Sequence, residues 1–215
     1  MTERILKAIG AQFELKKVPV QKHSTVKSPV IKFHIEQYHA EGLGNVSVMR
    51  GSGMLGLMKM DTLIVDPFEV DAPLFSYDRI YAMGNDTLIL ELYDTQLAPC
   101  DVRDIAQVGA AAANLPDHDL GSHWYDDIKY KESLSKKGKK LTPAFDTLTA
   151  DYTAAYINLC ACAPRCDKEA KRAAASKYVE GLLSNGGPST DAFKKILGED
   201  ETKALFRAVI FGTEG

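Results

Sequence analysis

The sequence predicts an α+β fold in which helices cover the faces of one antiparallel sheet. Strand-like alternation of apolar and polar residues fills the first half of the chain, and helical periodicity fills the second half. Successive strands with short connections favour an antiparallel meander, and strands followed by helices favour the α+β class. The 215 residues, 45% of them hydrophobic and 26% charged, suit one globular domain spanning residues 1–215.

The strands are predicted from alternation and from turn residues. The segment IKFHIEQ places Ile31, Phe33 and Ile35 on one face, as in a half-buried strand. The clearest hairpin has its turn at Gly84-Asn85-Asp86, residue types that adopt a positive φ at low cost. The predicted strand segments are 31–37, 45–49, 54–65, 79–83 and 87–93.

The helices are predicted from apolar residues at helical spacing and from capping residues. A short helix begins the chain, with Ile5, Ile9 and Phe13 on one side. Asp167 is a predicted N-cap, as is Ser189, and Gly198 ends a helix. Residues 133–140 (SLSKKGKK) form the most linker-like stretch, between the two halves. The further predicted helices cover 102–114, 145–163, 167–183, 189–197 and 201–211.

Composition and charge exclude several classes of protein. The formal net charge of −3 argues against broad nucleic-acid binding. The sequence has neither an apolar run of the roughly 18 residues that a membrane span needs nor a signal-peptide core, so we expect a cytoplasmic protein that binds no membrane. Cys100, Cys160, Cys162 and Cys166 are interpreted as reduced packing thiols, with a metal or redox site as the less favoured alternative.

Carboxylates are densest between Asp61 and Asp78. Asp66, Glu69 and Asp71 are interpreted as solvated turn residues. Asp61 instead opens the apolar run of residues 62–65, and Asp78 opens the predicted strand that begins at residue 79. A carboxylate in such a position points either to water or into a pocket on the sheet, where desolvation raises its pKa and suits it to proton donation near neutral pH.

Two polar loops are further candidates. His118 and His123 lie close together with two aspartates, and we expect them in a solvated loop, with a metal patch as the less favoured alternative. The basic stretch of Lys136, Lys137, Lys139 and Lys140 is interpreted in the same way, with a docking patch for an acidic electron carrier as the alternative.

Two segments resemble one enzyme family. The segment DAPLFSYD, ending at Asp78, resembles the D-L-P-[IM]-F-G-x-D signature of the ferredoxin-dependent bilin reductases, with Ser76 in place of the second glycine. Near the C-terminus, Tyr178 to Asn185, Gly198 and the segment LFRAVIFG are similar to the family's ending. The two blocks keep their order and their distance from the chain ends. The resemblance covers roughly residues 45–95 and 145–212.

The resemblance implies a three-layer α/β/α sandwich that binds a linear tetrapyrrole between the sheet and the C-terminal helices. It implies that Asp78 protonates the bound bilin, helped by Asp61 from a neighbouring strand and by Asn185 from a closing loop. The family binds no flavin or metal, and it passes through radical intermediates using single electrons from reduced ferredoxin or a similar carrier such as flavodoxin. In that family the lysine-rich loop would be a candidate docking patch for the carrier, which stays the alternative to a solvated loop.

Two alternatives to a bilin reductase stay open on the sequence. One is a protein that binds a tetrapyrrole, haem or another planar ligand without reducing it. The other is a reductase of a different linear tetrapyrrole, such as an open-chain chlorophyll catabolite. Near Val46 the sequence has no counterpart of a glutamate that one subgroup of the family uses for vinyl reduction, which argues against that subgroup.

Overall fold

The computed structural model describes residues 1–53 and 56–214, and within them eight strands form one antiparallel sheet. The order across the sheet is β1, β3, β4, β5, β6, β7, β8, and the short strand β2 also pairs with β3. All of the strand pairs are antiparallel, so β3 to β7 form the predicted meander. The strands are β1 (Leu15–Val18), β2 (Thr25–Lys27), β3 (Ile31–Ala40), β4 (Gly44–Gly53), β5 (Met58–Pro67), β6 (Leu74–Ala82), β7 (Asn85–Tyr93) and β8 (Leu134–Gly138).

Six α-helices accompany the sheet within the described residues. Asp167 caps α4 as predicted, because its Oδ1 accepts a hydrogen bond from the Ala170 amide at 2.7 Å. A π-helical turn, Phe206–Ile210, continues α6. No helix in the described ranges combines the length and the apolar character that a bilayer crossing requires. The helices are α1 (Thr2–Gln12), α2 (Arg103–Ala111), α3 (Thr142–Cys162), α4 (Lys168–Asn185), α5 (Pro188–Leu197) and α6 (Glu199–Leu205).

The sheet separates two apolar cores, which gives the expected α/β/α layering. On one face, α1, α2 and α3 pack against alternate residues of the central strands, among them Leu63, Phe75 and Leu90. On the other face, α4, α5, α6 and the π-helical turn pack against the intervening residues, such as Ile64 and Leu74. The period of two in each central strand therefore decides which helix layer a side chain meets.

Several predicted boundaries are wrong, three of them at residues named above. Asp78 lies in the middle of β6, because that strand begins four residues earlier at Leu74. The hairpin turn is Met83-Gly84, whose φ angles of 51° and 76° are those of a type I′ turn. Helix α5 begins at residue 188 after Gly187, so Ser189 lies within the helix rather than at its N-cap. The start of the predicted strand 54–65 falls on residues 54 and 55, which lie outside the described residues.

The linker-like stretch is in fact the edge strand β8, which pairs with β7. Lys136 has only 4% of its surface exposed, and its Nζ donates hydrogen bonds to the Leu115 carbonyl at 3.1 Å and to Asp117 Oδ1 at 2.6 Å. Its interpretation as a solvated or docking lysine is therefore wrong. Period-two alternation puts Lys137 on the opposite face, and it is exposed, as are Lys139 and Lys140.

Side chains of the sheet hold the C-terminal segment in place. Asn45 Nδ2 donates to the carbonyls of Val209 and Ile210, at 3.2 and 3.1 Å, and Ser47 Oγ donates to the same Ile210 carbonyl at 2.7 Å. These donors satisfy carbonyls that a helix end leaves without partners. Gly212 follows with a φ of 65°, and a Cβ there would lie 2.6 Å from the Asn45 side chain. The last helical segment is thus fixed against β4 by polar contacts.

Candidate functional site

A cavity of about 1060 Å³ lies between the sheet and the C-terminal helix layer. Its volume is at the upper end of the roughly 300–1,000 Å³ that small-molecule sites occupy. Most of its wall is apolar, with Met49, Met60 and Ile80 on the sheet side. Phe193 and Phe206 line the helix side. The volume and the apolar wall suit a largely apolar small molecule between the two packed layers.

Most of the polar groups on the cavity floor come from the neighbouring strands β5, β6 and β7. Thr62 on β5, Asp78 on β6 and Ile89 on β7 are in register, so their side chains form one row across the floor. Ser76 and Glu91 form the next row, two residues along the same strands. Only alternate residues of each strand have side chains on this face, because successive side chains of a β-strand point to opposite faces of the sheet.

Asp78 is the carboxyl group at the centre of this floor. Thr62 Oγ1 donates a hydrogen bond to its Oδ1, and Ser76 Oγ donates to its Oδ2 at 3.2 Å. Burial raises the pKa of Asp78 to about 6; the nearby Glu91 also raises it, while the two hydroxyl donors oppose the shift. Such a carboxyl group can give up a proton at near-neutral pH and is positioned to give it to whatever fills the cavity.

Asp61 lies on the opposite face of the sheet from Asp78. It is in register with Arg50 on β4 and Arg79 on β6, and its Oδ2 is 4.0 Å from the amino group of Met1, which precedes α1. It does not line the cavity. The expectation that Asp61 and Asp78 face one ligand is therefore not met, and the cavity-facing residue at this point of β5 is Thr62.

Asn185 also lies apart from Asp78. It is the last residue of α4, its side chain is exposed, and it does not line the cavity. Gly187, Ser189 and Thr190, which follow it, do line the cavity. Of the three predicted site residues, the structure thus places only Asp78 in the cavity wall.

Asp66 is wrongly predicted as a solvated turn residue. It has 1% of its surface exposed, and neither carboxyl oxygen has a hydrogen-bond partner among the described residues. Burial raises its pKa to about 7, although Lys171 and Arg172 lower it in part. It faces α4 beside the cavity without lining it.

The other two predicted turn carboxylates have structural partners as well. Asp71 is buried and accepts hydrogen bonds from the amides of Leu97 and Ala98, at 2.8 and 2.9 Å. Glu69 lies within 3.3 Å of the cationic groups of Arg165 and Lys168. The connection between β5 and β6 is therefore fixed by its carboxylates rather than solvated through them.

Sequence analysis missed an acid and a group of tyrosines on the cavity wall. Glu91 Oε2 accepts a hydrogen bond from the Tyr93 hydroxyl at 2.7 Å. The Tyr93 ring stacks on Tyr178 of α4 with centroids 4.5 Å apart, and Tyr125 meets Tyr93 edge-on at 5.6 Å. The alternation of residues in β7 could have predicted this group. Leu88, Leu90 and Leu92 share the core face, so residues 89, 91 and 93 must lie on the opposite face of the sheet.

The loop between α2 and β8 closes one side of the cavity. His118 and His123 are both half-buried and line it, so the prediction of a solvated loop is wrong for these two residues. The His123 ring stacks on Tyr125 at 4.8 Å. Trp124 packs its ring against Gly181 of α4, where a Cβ would lie 2.4 Å from the indole. These aromatic contacts attach the loop to the C-terminal helix layer.

The four cysteines are free thiols. Burial raises the pKa of Cys160 to about 12, while Cys162 on the same helix is exposed. Over residues 1–53 and 56–214, no three His, Cys, Asp or Glu side chains lie close enough together to hold a metal ion. The metal alternative for the cysteine and histidine clusters therefore has no geometric support within those ranges.

Comparison with known proteins gives a structural match. No protein-family model and no curated protein sequence matches the chain. Among solved structures, the fold is similar to that of phytochromobilin synthase from tomato in complex with biliverdin, with a TM-score of 0.81. The match covers 99% of this chain and 82% of the tomato chain at 15% sequence identity. At that identity the likeness establishes the fold alone.

Proposed function

We propose that this protein reduces a linear tetrapyrrole, with Asp78 as the proton donor. The observation that carries the proposal is the buried Asp78 carboxyl group, held by two hydroxyl groups on the floor of a largely apolar cavity. The shared fold with a biliverdin-bound synthase supports a bilin as the ligand class. A cavity between aromatic and methionine side chains suits a conjugated, nearly planar molecule, and Lys137 and His118 in its wall suit the acid groups that a bilin carries.

Each double bond reduced takes up two electrons and two protons. We propose that a reduced ferredoxin or a similar one-electron carrier supplies the electrons singly, which leaves two molecules of oxidised carrier. The Asp78 carboxyl oxygen gives a proton to the bound bilin and regains one from solvent. Thr62 and Ser76 hold that carboxyl group in a fixed orientation through their hydroxyl hydrogen bonds. Asp61 and Asn185 have no direct contact with the ligand in this scheme.

The test is a titration with biliverdin, recorded as an absorption spectrum before and after addition of reduced ferredoxin. Saturable binding followed by bleaching or a shift of the bilin band on reduction supports the proposal. Binding with an unchanged spectrum after reduction favours a tetrapyrrole carrier instead. Absence of binding contradicts a biliverdin site, and the same titration with an open-chain chlorophyll catabolite then tests the other linear tetrapyrrole.

A further inference from the structure

A second carboxyl group, Glu91, faces the cavity from the strand next to that of Asp78. Glu91 has 8% of its surface exposed and is opposite Ser76 in the β6–β7 register. The hydroxyl of Ser76 in turn donates to Asp78. Two acids thus lie on adjacent strands of one cavity floor, two residues apart along the strand direction.

The two acids have different partners. Among the described residues, the side-chain hydrogen bonds of Asp78 come only from neutral hydroxyl groups, whereas Glu91 Oε1 lies 3.7 Å from the Lys129 ammonium group. Lys129 is closer to Asp126, with 2.8 Å between Nζ and Oδ1, so its charge is shared with a carboxylate outside the cavity. When neighbouring carboxyl groups have environments this different, they take different roles in a proton-transfer site. The ammonium group of Lys129 is thus shared between Glu91 and a closer carboxylate.

The other titratable groups around Glu91 are mostly phenols. Burial raises the pKa of Tyr93, Tyr125 and Tyr178 above the usual range, so all three are neutral at physiological pH. His118 and His123 line the same cavity from the loop between α2 and β8. Lys129 is thus the one ammonium group paired with Glu91 among the described residues.

We propose that Glu91 is the counter-ion for the protonated, cationic form of the bound bilin. This inference rests on the function proposed above. The imine nitrogen of a linear tetrapyrrole is basic; when the Asp78 carboxyl oxygen gives it a proton, the ligand gains one positive charge and Asp78 becomes a carboxylate that solvent reprotonates. No electron moves in this step. A carboxylate in a poorly solvated cavity stabilises such a cation, and it thereby favours protonation before the first electron arrives.

The test measures the protonation of the bound ligand without any turnover. Biliverdin is bound to the parent, to Glu91→Gln and to Lys129→Met, and the absorption spectrum is recorded from pH 5 to pH 9. Glu91→Gln is expected to lower the apparent pKa of the bound bilin by about one pH unit or more, a tenfold change in the protonation equilibrium. Lys129→Met removes the cation that competes with the bilin for Glu91. We expect this variant to raise the apparent pKa of the bound bilin.

The matched control is Asp61→Asn, which removes one negative charge from the opposite face of the same sheet. We expect its bound bilin to titrate as in the parent. If the bilin bound to Glu91→Gln and to Lys129→Met has the same apparent pKa as in the parent, Glu91 is not the counter-ion, although a bilin site exists. If Glu91→Gln fails to fold, a lowered apparent pKa of the bilin bound to Lys129→Met still contradicts the inference. If the parent binds no bilin, the proposed function fails first and the inference falls with it.

Discussion

Asp61 and Asp78 are near neighbours in the sheet, yet they lie in different chemical environments. Asp61 lies 4.0 Å from the Met1 amino group and opposite Arg50 and Arg79 in the sheet register, whereas Asp78 lies on the floor of a largely apolar cavity. The pleat alone makes this difference, because consecutive residues of β5 point to opposite faces. The resemblance to the bilin reductases assigns both residues to one ligand, whereas only Asp78 lines the cavity.

Replacement of Asp78 by Asn is expected to lower turnover of a bilin by about 10², the usual contribution of a general acid. Binding of the bilin should change by less than about tenfold, because Asn keeps the shape and polarity of Asp. Both quantities follow from steady-state rates and from equilibrium titration.

Asp61→Asn is the control for this variant, with an expected change of less than about twofold in turnover. A large loss in Asp61→Asn together with full activity in Asp78→Asn would place the reaction on the other face of the sheet. That result would also contradict the proposed cavity.

Asp66 makes the stability of the protein depend on pH. Its pKa is raised to about 7 in the folded protein, so the folded state binds a proton that the unfolded chain releases near pH 4. The free energy of unfolding therefore falls as the pH rises from about 4 to about 7. Asp66→Asn removes this pH-dependent loss of stability. Its free energy of unfolding at pH 8 should exceed that of the parent by about 4 kcal/mol, which is about three pKa units at 1.4 kcal/mol per unit.

Urea denaturation of the parent and Asp66→Asn at pH 5 and pH 8 measures that difference. Asp151→Asn, which changes an exposed carboxylate of α3, should follow the parent at both pH values. A stability difference between Asp66→Asn and the parent that does not grow with pH would show that Asp66 is ionised in the folded state.

At the scale of elements, β8 shows why polar sequences are hard to interpret. The stretch SLSKKGKK contains one leucine and four lysines, and its composition is typical of a linker. It is nevertheless an edge strand, since Lys136 buries its stem and bonds its ammonium group to Asp117. A lysine side chain can cover apolar surface with its methylene groups while its ammonium group forms an ion pair. The amino-acid composition of the segment does not show which residue forms that pair.

The exposed lysines that follow β8 are a candidate docking patch for an acidic electron carrier. The double variant Lys139→Glu and Lys140→Glu should slow ferredoxin-dependent turnover and flatten its dependence on ionic strength. The measurement is kcat/KM for the carrier across a salt series. Reversal of the exposed Lys7 and Lys177 is the matched control, and an equal effect there would argue against a local patch.

The polar contacts between β4 and the C-terminal segment also define an element-scale test. Asn45→Ala leaves the carbonyls of Val209 and Ile210 with fewer donors in a buried place, which costs about 1–3 kcal/mol. Because Ile210 lines the cavity, bilin affinity should fall as well. Thr147→Ala, which removes an exposed hydroxyl bond within α3, should change neither property. Urea denaturation and ligand titration measure the two effects.

For the whole molecule, the sequence predicted the layers better than the site. Period-two and helical patterns identified most strands and helices, and their order gave the α+β class. The edge strands β1, β2 and β8 escaped prediction because they are short and polar and have few core contacts. The cavity-facing Glu91 and Tyr93 escaped because their importance depends on β6 and α4, which approach them only in the folded chain.

The cavity lies between the sheet and the C-terminal helix layer, which otherwise contact each other through apolar side chains. A ligand in the cavity would contact both layers and should stabilise their packing. A bilin at about 100 times its Kd should stabilise the protein by about 2.7 kcal/mol. The gain should appear as a higher Tm and as slower amide exchange in α5 and the π-helical turn, which line the cavity. Unchanged exchange in those segments, despite a higher Tm, would place the ligand elsewhere.

The packing of Trp124 gives the protein an optical reporter of its own cavity. It is the single tryptophan of the sequence, and its ring centroid lies 5.4 Å from Tyr125 and 5.9 Å from Tyr178, both of which line the cavity. A conjugated tetrapyrrole in the cavity would accept excitation energy from the indole at this short range. Quenching of its emission therefore follows occupancy in the unmodified chain, without a label and before any electron donor is added.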